Sequence, residues 1–338
     1  MDRPLISISI LTFNRDAYLK GMLGSLASQA RRHAGRVEVI VNDNASTDRT
    51  TAVAREMSEA LGGIAYHRND RNLGVIANYY LSFRRARGTF VCLAGDDDIY
   101  EDSFLDLAVA AIDGADPDLI LFNRSVWNQD MSVRIQDRLM AIDTGLIYPG
   151  VMDLARAHGL GTNLAFNSAV LFRRLPAMAA PIAYSLQAQF PYPQIELYLQ
   201  AFAEARCVVV PNVALRQRQF NSVMREGALS AEVTNSPVAA SIGWIRAFLH
   251  FDRLGLVPFR MLFETQERDH WVNGTMADFI IPNLRRAMAN GTINMGDVSV
   301  LVEAMHRLPD GDIKHRLFDC VAVAVDLTRL TERLLNLR

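Results

Sequence analysis

Short β-branched runs alternate with helically spaced apolar residues over the first third of the chain, a pattern that predicts parallel strands joined by crossover helices. Leu5 to Thr12 reads as a strand. Tyr18, Leu19, Met22, Leu23 and Leu26 recur at helical spacing, and Val37 to Val41 returns as a second apolar strand, which closes one βαβ unit. Ser46-Thr47-Asp48 is expected to cap a helix over Val53 to Leu61, Ile64 to His67 predicts a third strand, and Val75 to Ala86 a helix. Phe90 to Leu93 is the fourth strand. Phe104, Leu105, Leu107, Ala108 and Ile112 mark the next helix, and Leu119 to Phe122 the next strand.

Between Arg124 and Arg225 the pattern gives strands at Ala169 to Phe172 and Cys207 to Val210 around a helix from Gln194 to Ala205, without fixing their order. After Ala239 no strand is expected. Helical spacing covers Ile242 to Leu254, Arg260 to Met276, Asn283 to Asn290, Val298 to His306 and Ile313 to Leu335. The expected fold is α/β: a mostly parallel sheet flanked by helices, with residues 1–123 and 124–229 as two halves of one domain. A helical C-terminal region follows over 238–338, with the junction at Ser230 to Pro237.

The 338 residues are 50% apolar, enough for one large core and a smaller one. A formal charge of -2 gives no global attraction for nucleic acid, so no nucleic-acid partner is expected. Cys92, Cys207 and Cys320 lack paired spacing, which argues against a disulfide framework or a structural zinc and places the chain in the cytoplasm. No apolar stretch approaches the ~20 residues of a membrane span, so any membrane contact is peripheral, at the inner face.

Ligands of open parallel sheets bind beyond the carboxyl ends of the strands. The segments there read Thr12-Phe13-Asn14-Arg15, Asn42-Asp43-Asn44-Ala45-Ser46-Thr47-Asp48 and Gly95-Asp96-Asp97-Asp98. Three adjacent carboxylates repel one another unless they are solvated or hold something positive. No Gly-x-Gly-x-x-Gly turn and no Gly-Lys-Ser/Thr is present to cradle phosphate. A divalent cation with an oxygen shell, Mn2+ or Mg2+, does that work instead.

In order and spacing, Ile8 to Arg15, Asp43-Asn44-Ala45-Ser46-Thr47-Asp48, Arg71-Asn72-Leu73-Gly74 with Asn78, and Ala94-Gly95-Asp96-Asp97-Asp98 resemble family 2 glycosyltransferases of the GT-A fold. The resemblance implies a nucleotide-sugar donor. Asp43 would accept a hydrogen bond from a pyrimidine N–H, pointing to a UDP- or dTDP-sugar, while Thr12, Asn14, Arg15, Asn72, Asn78, Asp96, Asp97 and Arg218 would line the donor site. Ala94 stands where relatives often carry Asp, so Asp96 and Asp98 are the expected metal ligands. Inverting relatives use an acceptor-side carboxylate as base, and Glu196, at the start of an apolar helix after Phe190-Pro191-Tyr192-Pro193, is the candidate.

Arg216, Arg218 and Arg225 would pair with the diphosphate. The Gln-x-x-Arg-Trp motif of processive relatives is absent, which favours transfer of one sugar to a saccharide or lipid-linked acceptor in polysaccharide or glycoconjugate biosynthesis. A homodimer through the C-terminal helices stays open. Two rivals also remain: a sugar nucleotidyltransferase, which normally needs a Gly-rich phosphate loop, and a non-catalytic nucleotide-sugar or glycan-binding module. Trp127, Trp244 and Trp271 read as core packing or as a platform for a sugar.

Overall fold

The computed structural model describes residues 3–175, 182–219, 237–268, 273–289 and 293–322. In chain order the first elements are β1 (Ile6–Thr12), α1 (Asp16–Arg32), β2 (Val37–Asp43), α2 (Thr50–Ala60), β3 (Ala65–Arg68), α3 (Val75–Arg85), β4 (Phe90–Gly95), β5 (Ile99–Tyr100) and α4 (Phe104–Ala115). They continue with β6 (Leu119–Trp127), β7 (Arg134–Gln136), β8 (Leu146–Tyr148), α5 (Val151–His158), β9 (Val170–Arg173), α6 (Ala183–Ala188), α7 (Pro193–Ala201) and β10 (Cys207–Arg218). The chain divides into two compact units. One comprises Met1–Ala155 with Gly161–Ala231, the other Arg156–Leu160 with Glu232–Arg338.

Among the described residues the first unit carries one sheet in the order β3-β2-β1-β4-β9-β6-β10-β5, with β7 on β6 and β8 on β10. The β3-β2-β1-β4 half is parallel throughout. β9 then inserts antiparallel between β4 and β6. β1 is buried on both faces: Ile6, Ile8 and Ile10 pack as core, and Ser7 and Ser9 are equally inaccessible. Those hydroxyls are satisfied inside, Ser9 donating to the Ser82 carbonyl and Ser7 to Glu38, so the Ile/Ser alternation survives double burial without unpaired donors. α1 buries Leu19, Met22, Leu23 and Leu26, each contributing about 1.5–3 kcal/mol of apolar burial.

Several boundaries differ from the sequence reading for identifiable reasons. β6 runs through Asn123, Arg124 and Ser125 to Trp127 rather than stopping at Phe122, because these polar side chains are buried and hydrogen-bonded. Asn123 donates to the Met140 and Pro211 carbonyls, and Arg124 reaches Gln217, Asn163 and Thr162. β10 likewise continues past Pro211 through a bulge to Arg218. α7 begins at Pro193 and ends at Ala201, where the buried Phe202 leaves the helical conformation. Asp48 does not cap α2 directly. Arg49 is the N-cap, while Asp48 accepts from the Thr50 amide and hydroxyl.

The second unit contains α8 (Pro237–Arg253), α9 (Met261–Glu264), β11 (Gln266–Arg268), β12 (Asn273–Thr275), α10 (Met276–Ala289) and α11 (Met295–Arg307), and residues 312–322 are helical. The helix expected from Arg260 to Met276 is therefore only α9, and the absence of strands after Ala239 is overturned by the antiparallel β11/β12 pair. Helical spacing over so short a stretch cannot separate the two periods. Thr265 turns extended, and Glu267 is buried, accepting from the Leu160 amide. Trp271, Arg225, the junction over 230–236 and the helix predicted beyond residue 322 lie outside the described residues. No helix among those described is long and apolar enough to cross a membrane.

Candidate active site at the carboxyl rim of the sheet

Parallel register brings the three chemically distinctive turns together. Thr12 pairs across the ladder with Asp43, and Leu11 with Gly95, so each turn leaves a strand about 4.8 Å from the next. The Thr12 hydroxyl donates to Asp96 Oδ2 at 2.7 Å. Asn14 has the left-handed φ of 53° that Asn tolerates better than most residues. There its amide donates to Ser46 Oγ, and its Oδ1 accepts from the Thr47 amide. The first loop is thus bonded to both acidic turns.

The acidic turn is held by arginines. Arg15 lies 3.5 Å from Asp96 Oδ1 and 3.0 Å from Asp97 Oδ2. Arg218 donates its amide to Asp98 and its Nε to the Asp97 carbonyl, with its NH1 on the Gln129 carbonyl. Both guanidinium groups sit over the Tyr18 ring, at 4.8 and 4.9 Å. Burial pushes the Asp96 carboxyl up to about 7, against the pull of Arg15. Burial together with repulsion from Asp97 pushes Asp98 up to about 8, while Ser168, the Arg218 amide and the Arg124 charge act in the opposite direction. Positive charge placed beside these carboxyls would favour their ionised forms.

Gly95 makes room for such a charge. A Cβ there would lie 2.9 Å from Asp97 Oδ1, 3.7 Å from Ser168 Oγ and 3.8 Å from Asp98 Oδ2. An oxygen cradle therefore converges over a residue without a side chain. It suits a hard divalent cation. Among the described residues no three His, Cys, Asp or Glu side chains surround one point. Of the expected pair Asp96/Asp98, Asp96 is bonded by Thr12 and Arg15. The carboxylate oxygens that border the space above Gly95 are Asp97 Oδ1 and Asp98 Oδ2, with Asp97 Oδ2 bonded to Arg15.

Other residues expected at the donor site carry hydrogen bonds within the protein. Asp43 is 0% exposed. It accepts from the Ser46 amide at 2.7 Å and the Tyr66 hydroxyl at 2.5 Å, with Arg68 Nε at 3.5 Å. Asp43 therefore shapes its turn and presents no accessible atom to a base. Burial and donation to Asp43 push the Tyr66 hydroxyl up to about 12. Asn72 accepts from Asn44 and from the amide of Gly74, whose φ of 82° starts α3. Asn78 is buried between Asn69 and the Asn42 carbonyl. Together these asparagines buttress the turn. Beside them Arg68, Asn69, Arg71, Leu73 and Arg85 line a cleft of about 360 Å³.

Glu196, the candidate base, is buried rather than pocket-facing. It is 1% exposed and accepts from the Tyr184 amide, the Ser185 amide and the Ser185 hydroxyl, at 2.6–3.0 Å, which anchors the first turn of α6 to α7. Glu196→Gln is therefore expected to lower stability by about 1–3 kcal/mol, since a strong charged acceptor is lost. The folded fraction should keep its turnover within a few-fold. Thermal melts paired with rate measurements check this, because a base at this position would lose about 100-fold or more in rate with little change in melting. Arg216, expected on the diphosphate, instead pairs through two N–H groups with Glu101.

Three residues at the site were not legible in the chain. Ser168 arrives on a single 3-10 turn, Asn167–Ala169, accepts from the Gly95 amide and hydrogen-bonds Asp98. Arg124 is buried at 1% exposure with its guanidinium 4.3 Å from the Phe166 ring. Tyr66 is the third. None belongs to a local pattern, since β9 and β6 bring the first two in from distant sequence.

Residues 7–174, about half of the chain, match the model of glycosyl transferase family 2. The chain is 32% identical over 132 residues to the abequosyltransferase RfbV of Salmonella typhimurium, covering 38% of each protein. It is 30% identical over 100 residues to an uncharacterized glycosyltransferase, MJ1057, of Methanocaldococcus jannaschii, covering 29% of this chain and 34% of that relative. The matched part is thus little more than a third of these relatives' length. Among solved structures, S. aureus TarS 1-349 in complex with UDP-GlcNAc superposes with a TM-score of 0.56 at 16% identity, over 95% of this chain and 88% of that one. That likeness establishes the α/β fold with its mostly parallel sheet.

Proposed function

We propose, from the premise that the chain belongs through residues 7–174 to glycosyl transferase family 2, that it moves one sugar from a UDP- or dTDP-sugar to a saccharide or lipid-linked acceptor, with inversion at the anomeric carbon and with Mn2+ or Mg2+ bound. The observation that carries this reading is the convergence of Thr12, Arg15, Asp97, Asp98 and Arg218 on one rim, around the space above Gly95. The UDP-GlcNAc in the S. aureus TarS structure supports a UDP-sugar donor, and the sugar-transferring name of the Salmonella relative supports a role in glycoconjugate synthesis.

In this reading an acceptor hydroxyl attacks the anomeric carbon from the face opposite the diphosphate. The carbon–oxygen bond to the diphosphate breaks, the nucleoside diphosphate leaves, and the hydroxyl proton passes to solvent. Asp97 and Asp98 would hold the divalent cation, which when bound neutralises charge developing on the leaving group. Arg15 and Arg218 carry N–H donors to the diphosphate oxygens. Thr12 fixes Asp96, which in turn holds Arg15 in place. Asn14, Asn72, Asn78 and Asp43 maintain the wall of the nucleoside pocket, and the arginine-lined cleft beside Asp43 receives the nucleotide.

Melting a panel of UDP, dTDP, GDP and ADP complexes with Mn2+ tests the donor class, since a ligand raises the melting temperature by mass action. A selective rise with a pyrimidine diphosphate is expected, and a rise with purine nucleotides alone would overturn the reading. The pH dependence follows from the buried carboxyls. Their folded values, about 7 and about 8, exceed those of the unfolded chain, so the folded state binds more protons and stability without metal falls as pH rises through about 4 to 8. Mn2+ binds the ionised forms. It should therefore raise the melting temperature more at pH 8.5 than at pH 6, and an equal shift at both would contradict the cradle.

A further inference from the structure

We infer that the first unit carries a second saccharide site at the β10/β5 edge of its sheet, for a neutral mono- or disaccharide. The inference goes beyond the transfer reading and stands without it. A cleft of about 480 Å³ opens there, within the range of small-ligand pockets, and it includes none of Thr12, Arg15 or Asp96 to Asp98. Its wall is built around Trp127, whose Nε1 donates to the buried Ser125 hydroxyl at 2.9 Å. Two guanidinium groups stand over the indole, Arg134 at 5.1 Å and Arg216 at 5.3 Å.

The charge pattern selects the ligand. Arg216 is matched in two bonds by Glu101, at 2.7 and 3.0 Å, and Arg134 by Asp137 at 3.0 Å. Asp102, at the same cleft, accepts from Ser28. An anion would have to displace Glu101 or Asp137 from its arginine. Sugar hydroxyls can instead donate to Asp102, whose carboxylate accepts from Ser28 rather than from an arginine, and leave both pairs in place. Each guanidinium has five N–H donors and each carboxylate about four acceptor sites, so both pairs keep free valences, and the two-bond Arg216–Glu101 pair presents them in a planar array. Such arrays can receive adjacent hydroxyls that donate and accept at once. The side chains are only partly covered: Arg216 is 40% exposed and Arg134 52% exposed, so a ligand reaches them without opening the core.

Saturation-transfer NMR on the full chain tests the inference. The probes are methyl glycosides of glucose, galactose, mannose, rhamnose and N-acetylglucosamine, with maltose, cellobiose and lactose, each with and without excess UDP, dTDP and Mg2+. At least one saccharide should show transfer that persists with the nucleotides present and falls about fivefold or more in Arg134→Ala and in Arg216→Ala, each lost hydrogen-bonding group weakening binding by that order. Both variants should melt like the parent. No transfer from any probe, transfer that the nucleotides abolish, or transfer unchanged in both variants overturns the site. Nucleotide release from donor sugars is measured separately, and its absence beside intact saccharide binding sinks only the transfer reading.

Discussion

Asp98→Asn is expected to lower both sugar transfer and donor hydrolysis by about 1,000-fold or more, because in the proposed reading several kcal/mol of charge stabilisation at the leaving diphosphate would depend on the cation this carboxylate would hold. The substitution keeps the shape and can still accept from the Arg218 amide and meet Ser168. Stability should not suffer. Burial disfavours the Asp98 charge in the folded state, so removing it should leave the melting temperature at pH 8 unchanged or raised. Initial rates of nucleotide release, set beside melts of the same preparations, check both halves. A variant with parental rates would remove Asp98 from the chemistry.

The second large effect is expected at Gly95. A methyl group there meets Asp97 Oδ1 at 2.9 Å, a contact too short to keep, and the carboxylate must move. Asp97 ends a short, partly exposed side chain, so the movement should cost only about 1 kcal/mol of stability. The cradle, however, would be filled. Gly95→Ala should therefore weaken Mn2+-dependent nucleotide binding about 10- to 100-fold, the order found when groups that orient a metal site are disturbed. Calorimetric titration of UDP and dTDP with and without Mn2+ separates the two effects. A loss of stability without loss of metal-dependent affinity would show that the space above Gly95 is only a packing feature.

β1, β2 and β4 are legible in the sequence because they are largely buried and rich in apolar or β-branched residues, with an amphipathic helix after β1 and after β2. β3, Ala65-Tyr66-His67-Arg68, is short and partly exposed and is marked mainly by its place between two helical patterns. The three polar turns after β1, β2 and β4 could be placed together for the same reason, since parallel register sends every carboxyl end to one rim. What was hidden is tertiary. β6 conceals its second half behind Asn123, Arg124 and Ser125, which look like a loop until their buried partners are known. β9 enters against the strand direction and brings Ser168 to Asp98, a placement no local spacing encodes.

Side-chain roles were less legible than side-chain positions. Asp43 and Asn78 are buried and bonded to Ser46, Tyr66, Asn69 and backbone groups, while Asn72 is exposed, with its Oδ1 on Asn44 and the Gly74 amide. A polar residue near a ligand site and a polar residue that shapes the site have the same sequence. Glu196 illustrates the point: a carboxylate in the first turn of an apolar helix looked like a base, and its three short donors make it an anchor. The hairpin at β11 and β12 is the remaining miss, where a few helically spaced residues did not outweigh the extended conformation from Thr265 onward.

The measurement that bears most directly on the acidic turn is release of free nucleoside diphosphate from UDP- and dTDP-sugars by the full chain, with Mn2+ against EDTA. Slow release from one nucleotide class, present with Mn2+, absent with EDTA and lost in Asp98→Asn, is the predicted result. Release that neither EDTA nor Asp98→Asn diminishes, or tight Mn2+-dependent donor binding with no release at all, would contradict the account.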